Sequence, residues 1–395
     1  MKKVAATLIT LGLSTAFAQN VTGKIDFWVY QPEHGAMGVL TGLKAEFEKL
    51  HPGTTINIVP VPKDDFNTKI NTAIAAGNAP DASYLDQPLV ARFASDKLLD
   101  AMPAKLINKA DYYRGALNTN MVGSKLYGLP LSQTTVALYY NKDLVPNPPK
   151  TWNELLAVAK KVYDPQKKIA AFAVPRGDGW GAWLFPGFVA TAGGKMLDAK
   201  TKTVSFGEQP AIDALNLWKD LLAYSPRMIT DSQNAFQTGR VAMMISGPWE
   251  LNGLRTNWPK LNFGVALIPK GKANGSNIGG DNAVVYAKAK NKALAWEWLK
   301  FITQPEQNTK LATQVMGNFP INVKTAKGDW LKGDKDLAVF IQQMKTAQAR
   351  PTVKDWIKVN DEIVAKALEE ALDGGASAEK ALKDAASKAK TVLGW

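Results

Sequence analysis

Twelve tryptophans, two histidines and no cysteine set the chemistry open to this chain of 395 residues. Without cysteine there are no disulfides, thiolate metal sites or thiol nucleophiles. His51 stands in "HPG", which reads as a helix stop. His34 lies in the first loop and has no nucleophile motif beside it, so it makes a poor catalytic base and a poor metal site. No G-x-S-x-G, H-E-x-x-H or P-loop pattern occurs, and the glycine-rich runs "DGWGAWLFPG" and "GSNIGGDN" lack the G-x-G-x-x-G spacing. Carboxylates are plentiful, so a hydrolase using two facing acids stays open as an alternative.

The tryptophans carry the stronger signal. Trp218, Trp296 and Trp298 lie at helical spacing and read as core. Trp180 and Trp183 sit among glycines in what reads as a loop, "RGDGWGAWLFPGFVATAGG". Trp249 and Glu250 follow a Ser-Gly-Pro break after the apolar run of "GRVAMMISGPWE", and Trp356 follows "ARPTVKD". A sugar ring has C–H faces that suit aromatic plates and hydroxyl edges that suit carboxylates, amides and guanidinium groups. Trp183 and Trp249 are the best candidates for such plates.

These side chains need a scaffold. "KIDFWVY", "TTINIVPV" and "DASYLD" read as strands, alternating with helices at "VLTGLKAEFEKL", "DDFNTKINTAIAAG" and "QPLVARFASDKLL". That alternation predicts a parallel α/β sheet, with ligands beyond the carboxyl ends of its strands. The first loop (Glu33, His34), Asp64, and Asp86 with Gln87 therefore become candidate ligand contacts. The segment from Gln133 to Asn141 reads as a crossing into a second lobe, and "VPNPPK" leads into a helix through the capping-box pair Thr151 and Glu154. Asp281 and Asn282, in "GGDN", follow two glycines that permit close backbone approach, which serves either a hinge or a ligand. Arg350 is a candidate either for ligand contact or for a surface ion pair.

The length exceeds one ordinary core. "MKKVAATLITLGLSTAFAQN" has the basic start, short apolar run and small-residue site of a signal peptide, with cleavage expected after Ala18. Without Lys2 and Lys3 the 48 basic and 35 acidic residues become 46 and 35, a net +11. The lysines alternate with acids along helices such as "EKALKDAASKAK" and form no arginine-rich block, so nucleic acid is not the expected partner. The expected location is the periplasm, and the missing lipobox cysteine argues for a freely diffusing protein.

"YYNKDLVPNPPKTWNEL", "AFQTGRVAMMISGPWE", "GNAPDASYLDQPLVARFASDKLL" and "EKALKDA" together resemble the carbohydrate-type extracellular solute-binding proteins of ABC importers, above all the maltose/maltodextrin group. The resemblance spans nearly the whole mature chain. It implies an α/β, two-lobed periplasmic-binding-protein fold of type II, with the ligand cleft between lobes joined by a crossing hinge. The expected organisation is a signal peptide over 1–18, the N-terminal lobe over 19–138, the C-terminal lobe over 139–280, a return to the N-terminal lobe over 281–335, and C-terminal helices over 336–395 that complete the second lobe and hinge. The resemblance further implies no catalysis, cofactor or metal. It implies a monomer that delivers a short oligosaccharide, such as maltodextrin, trehalose or sucrose, to two permease subunits with their cytoplasmic ATPase. By position it makes Trp249 and Trp183 stacking residues, Glu33 and His34 a polar pair, and Asp86 and Gln87 further polar contacts. Thr134, beside Gln133, takes the place of a sugar-binding carboxylate near the hinge. Asp361 aligns with a late cleft tryptophan, for which Trp356 is the displaced candidate. Glycerol phosphate or a polyamine would be the ligand if the fold holds and the sugar does not, and an exported glycoside hydrolase is the remaining alternative.

Overall fold

The computed structural model describes residues 21–32, 36–325 and 328–395. The signal-peptide segment and the pair Glu33 and His34 therefore lie outside the described residues. In the first lobe, strands Gly23–Tyr30, Thr54–Val61 and Ala82–Asp86 run parallel, with Gly23–Tyr30 in the middle. Helices Met37–Leu50, Lys63–Ala75 and Gln87–Ser95 make the connections. Leu40, Leu43 and Phe47 recur at helical spacing and are buried, which explains why the first helix lies on the sheet.

The sheet is not wholly parallel, in contrast to the alternation rule. Strand Asp281–Val285 returns from far along the chain and pairs antiparallel with Ala82–Asp86 and with Gly128–Pro130. Alternation of strand and helix reports only on local crossovers, whereas this neighbour arrives by a long-range connection. The return strand brings helix Lys292–Ile302, whose Trp296 and Trp298 are buried in the core of this lobe.

The second lobe is built on a four-stranded sheet in the order Phe263–Ala266, Ala137–Asn141, Val241–Ser246, Ala170–Phe172. One face is covered by helices Trp152–Val162, Gly179–Thr191, Gln209–Leu222 and the C-terminal helices, with Trp218 and Trp356 in the core. Helix Lys335–Met344 covers the other face through Phe340. A third, small sheet has Ser276–Gly279 in its centre, flanked by Thr134–Thr135 antiparallel and Ala347–Ala349 parallel. Thr134–Thr135 and Ser276–Gly279 are places where the chain passes between the lobes, and Ala347–Ala349 pairs onto them between two sets of second-lobe helices, so the small sheet lies at the hinge.

The stretch read as a glycine-rich loop is the helix Gly179–Thr191, started by Asp178, whose carboxylate accepts a hydrogen bond from Gly181 N at 2.7 Å. It contains Pro186 and is buried on nearly all sides. A helix buried all round shows no amphipathic period. Glycine and proline lower its propensity further, so burial in the lobe core is what stabilises it.

Candidate functional site

Both lobes turn the carboxyl ends of their parallel strands toward one cleft. In the first lobe these ends are Tyr30 and Asp86, and the antiparallel strand starts there with Asp281, directly opposite Asp86 in register. In the second lobe the end of strand Val241–Ser246 leads into Trp249, and the chain beyond strand Ala170–Phe172 leads to Trp180 and Trp183.

The tryptophans form one cluster. Trp180 and Trp183 stack with planes 6° apart and centroids separated by 5.2 Å. Trp249 meets both edge-on, at 6.2 Å from Trp180 and 6.4 Å from Trp183. Trp180 is the most open of the three, at 41 % exposure. Close backbone approaches set the cluster. A Cβ on Gly247 would fall 2.0 Å from the Trp249 ring, and one on Gly279 would fall 2.6 Å from Trp183. Glycine at 247 thus lets the Trp249 indole fold back over its own turn, and glycine at 279 lets Trp183 rest on the central hinge strand. The Trp183 carbonyl also accepts a hydrogen bond from Asn277 Nδ2 at 3.0 Å.

Arg350 joins the two walls. It follows the hinge strand Ala347–Ala349 and is buried, with its guanidinium forked onto both carboxylate oxygens of Asp86. The same guanidinium lies 5.8 Å from the Trp183 ring centre, in cation–π range. It is therefore an inter-lobe ion pair and not a surface one. Burial works against the Arg350 charge, but Asp86, Asp281 and Asp361 outweigh it and hold the group above its ordinary pKa. Asp86 also caps helix Gln87–Ser95 by accepting from Gln87 N at 2.8 Å.

Asp281 is a strongly perturbed acid at the cleft end of the sheet. Burial raises its pKa from 3.8 to about 6, and neighbouring Asp86 adds to the rise, while Lys63, Arg350 and a hydrogen bond from Tyr30 pull it down. Tyr30 is pushed upward by burial and by the same carboxylates. Lys63 Nζ stands 5.6 Å from the Tyr30 ring centre. Asp361 is raised chiefly by loss of solvation and then by Asp86, with a hydrogen bond from Asn360 and the charge of Arg350 acting against the shift. Tyr30, Lys63 and Asp361 are thus electrostatic members of the cleft. Tyr30 and Lys63 were not singled out in the sequence, and their signal was position alone, at the end of a strand and the start of the next helix.

The other candidates divide. Gln87 is buried with its amide 3.5 Å from the Gly279 carbonyl, against the hinge. Gln133 pairs through its backbone with Phe319, and Thr134 is buried in the hinge sheet with its hydroxyl unpartnered. Glu250 opens helix Glu250–Asn257 and accepts a hydrogen bond from Ser246 Oγ at 3.0 Å. The backbone of Asp64 lies in the first turn of helix Lys63–Ala75, and its side chain is outside the described residues.

Two candidates are corrected. Asn282 is fully buried inside the first lobe, its amide committed to Thr119 and Asn120. Strand alternation explains this, because the neighbour of cleft-facing Asp281 must point to the opposite face. Trp356 is 1 % exposed in the core of the second lobe, which takes it out of the cleft.

Two α/β lobes, a hinge sheet between them and an indole cluster adjoining a buried Arg350–Asp86 pair define a hinged solute-binding protein. The chain belongs to the bacterial extracellular solute-binding protein family, which it matches over residues 42–339. This is a family of binding proteins, not enzymes. A binding protein of Brucella abortus is 29% identical over 89% of both chains. The maltotriose-binding protein of Pyrococcus abyssi is 26% identical, over 85% of this chain and 75% of its own length. An ABC transporter solute-binding protein of Thermotoga lettingae, solved with α-D-tagatose, superposes with a TM-score of 0.85 at 26% identity, over 94% of this chain and 100% of that one. Among the described residues no helix is long and apolar enough to cross a membrane, and no cluster of His, Asp or Glu is arranged to hold a metal ion.

Proposed function

We propose that this chain is the exported substrate-binding component of an ABC sugar importer and that it takes a short neutral oligosaccharide into the cleft between its lobes. One observation carries the reading: three mutually packed indoles adjoin Arg350, whose guanidinium is held by Asp86. Apolar plates beside fixed hydrogen-bonding groups suit a ring with C–H faces and hydroxyl edges. Trp180 and Trp249 supply the plates, and Trp183 supports Trp180 from behind. Asp281, Asp361 and the Thr134 hydroxyl supply polar contacts. Closing the lobes on the sugar creates the surface that meets the permease. Residues 1–18 serve as the signal peptide, and the mature protein works as a periplasmic monomer. The relatives that bind maltotriose and tagatose support a sugar ligand and leave its length open between one ring and several.

The test is thermal unfolding of the mature protein with maltose, maltotriose, trehalose, sucrose, glucose, glycerol phosphate and spermidine. A ligand that binds only the folded state raises the midpoint. A rise with one or two α-glucosides is the expected result. A rise with glycerol phosphate or spermidine alone would overturn the sugar while keeping the cleft. Release of a hydrolysis product from a bound sugar would overturn the binding-only role.

A further inference from the structure

A second pocket lies at the other end of the second lobe. Strands Ala137–Asn141 and Val241–Ser246 are antiparallel, and Ala137 pairs with Ser246 at the cleft end. Asn141 and Gly239 therefore mark the opposite end of the sheet, about 13 Å along the strand from Ala137. There an open surface depression of about 450 Å³ is lined by Asn141, Asp143, Gln237, Trp258, Lys260 and Asn262, among others.

Its lining repeats the chemistry of a sugar site in miniature. Trp258 is a half-buried indole at the end of helix Glu250–Asn257, and carboxamides surround it. One acid, Asp143, and one base, Lys260, leave the lining close to neutral, which disfavours an ionic ligand. The rim is already organised. Asn262 Nδ2 donates to Asp143 Oδ1 at 2.7 Å, Asp143 N donates to Asn141 Oδ1 at 2.9 Å, and Lys142 N donates to the Asn262 carbonyl at 2.8 Å. Leu261 N donates to the Trp258 carbonyl at 2.9 Å, which fixes the turn that carries the indole. Binding therefore needs little ordering of the protein, one of the costs that association must offset. The volume falls within the range of small-molecule pockets.

We infer that this pocket is a second carbohydrate site, taking one or two neutral hexose rings stacked on Trp258 with hydroxyls held by Gln237, Asn262 and Asp143. Such a site would hold sugar on the protein independently of lobe closure, because all its lining belongs to one lobe.

The indole N–H signals of isotope-labelled mature protein, followed by NMR during titration with maltose, isomaltose and galactobiose, test this. Trp258→Phe and Trp249→Phe assign the two signals concerned. The expected result is a saturable shift of the Trp258 signal with at least one sugar, lost in Gln237→Ala while the Trp249 signal keeps its own response. An unmoved Trp258 signal with all three sugars would overturn the inference, as would a shift that grows linearly without saturation or persists unchanged in Gln237→Ala. Movement of Trp249 alone would leave the cleft reading standing and remove this one, and movement of Trp258 alone would do the reverse.

Discussion

Trp180 lies flat on Trp183, 5.2 Å between centroids, and covers it from the open side of the cleft. The outermost indole is thus Trp180, and Trp183 is held between it and the Arg350 side of the site. Trp180→Ala and Trp249→Ala should each weaken sugar binding about tenfold or more, since an aromatic stacking contact plus its buried area exceeds roughly 1.4 kcal/mol. Calorimetric titration with the sugar that raises the unfolding midpoint measures this. Unchanged affinity in both variants would show that the ligand rests elsewhere.

Trp356 should behave in the opposite way. Its indole is sealed in the second lobe's core, so Trp356→Ala should cost about 3–5 kcal/mol of stability by cavity formation. The affinity of the protein that remains folded should hold. Urea unfolding and titration on the same preparation separate the two effects.

Arg350 and Asp86 form a forked pair whose side chains are 6 % and 30 % exposed. Replacing one partner leaves the other charge poorly solvated, which costs about 2–4 kcal/mol. Arg350→Met should lower stability by that order, and Arg350→Met combined with Asp86→Asn should recover part of it while keeping a helix cap. Arg350→Lys retains charge but not the fork, and should fall between wild type and Arg350→Met. Denaturant midpoints across the three variants and wild type decide the order.

Asp281 links stability to pH. Its carboxyl holds a proton more tightly in the folded chain, at about 6, than its ordinary 3.8. The folded state therefore takes up a proton as pH falls from about 6 toward 4, and stability from this group rises through that window. Above it the cost of the buried charge is felt in full. Asp281→Asn should stabilise the protein by roughly 1–3 kcal/mol near neutral pH and much less near pH 4. Urea unfolding of both proteins at about pH 7, 5 and 4 checks the sign and the window.

The hinge packing gives a steric prediction. A methyl group on Gly279 would stand 2.6 Å from Trp183. Gly279→Ala should shift the whole indole stack and weaken sugar binding, with a change in near-ultraviolet circular dichroism from the tryptophans. An unchanged spectrum and affinity would mean that the stack does not rest on the hinge strand.

Local pattern determined much of this protein. Three strand–helix units of the first lobe, the helix holding Trp296 and Trp298, and the strand before Trp249 follow from apolar period and turn residues, because those signals act within a dozen residues. The sequence motifs also reached the family. Long-range pairing lay beyond that reach. Only the tertiary structure put Asp281 opposite Asp86, closed the hinge from segments some 140 and 210 residues past Thr134–Thr135 in a three-stranded sheet, and brought Arg350 onto both Asp86 and Trp183. Burial decided the remaining cases. Trp180 and Trp356 look alike as tryptophans beside polar residues, and what separates them is how much of each indole the fold covers, 41 % exposed against 1 %.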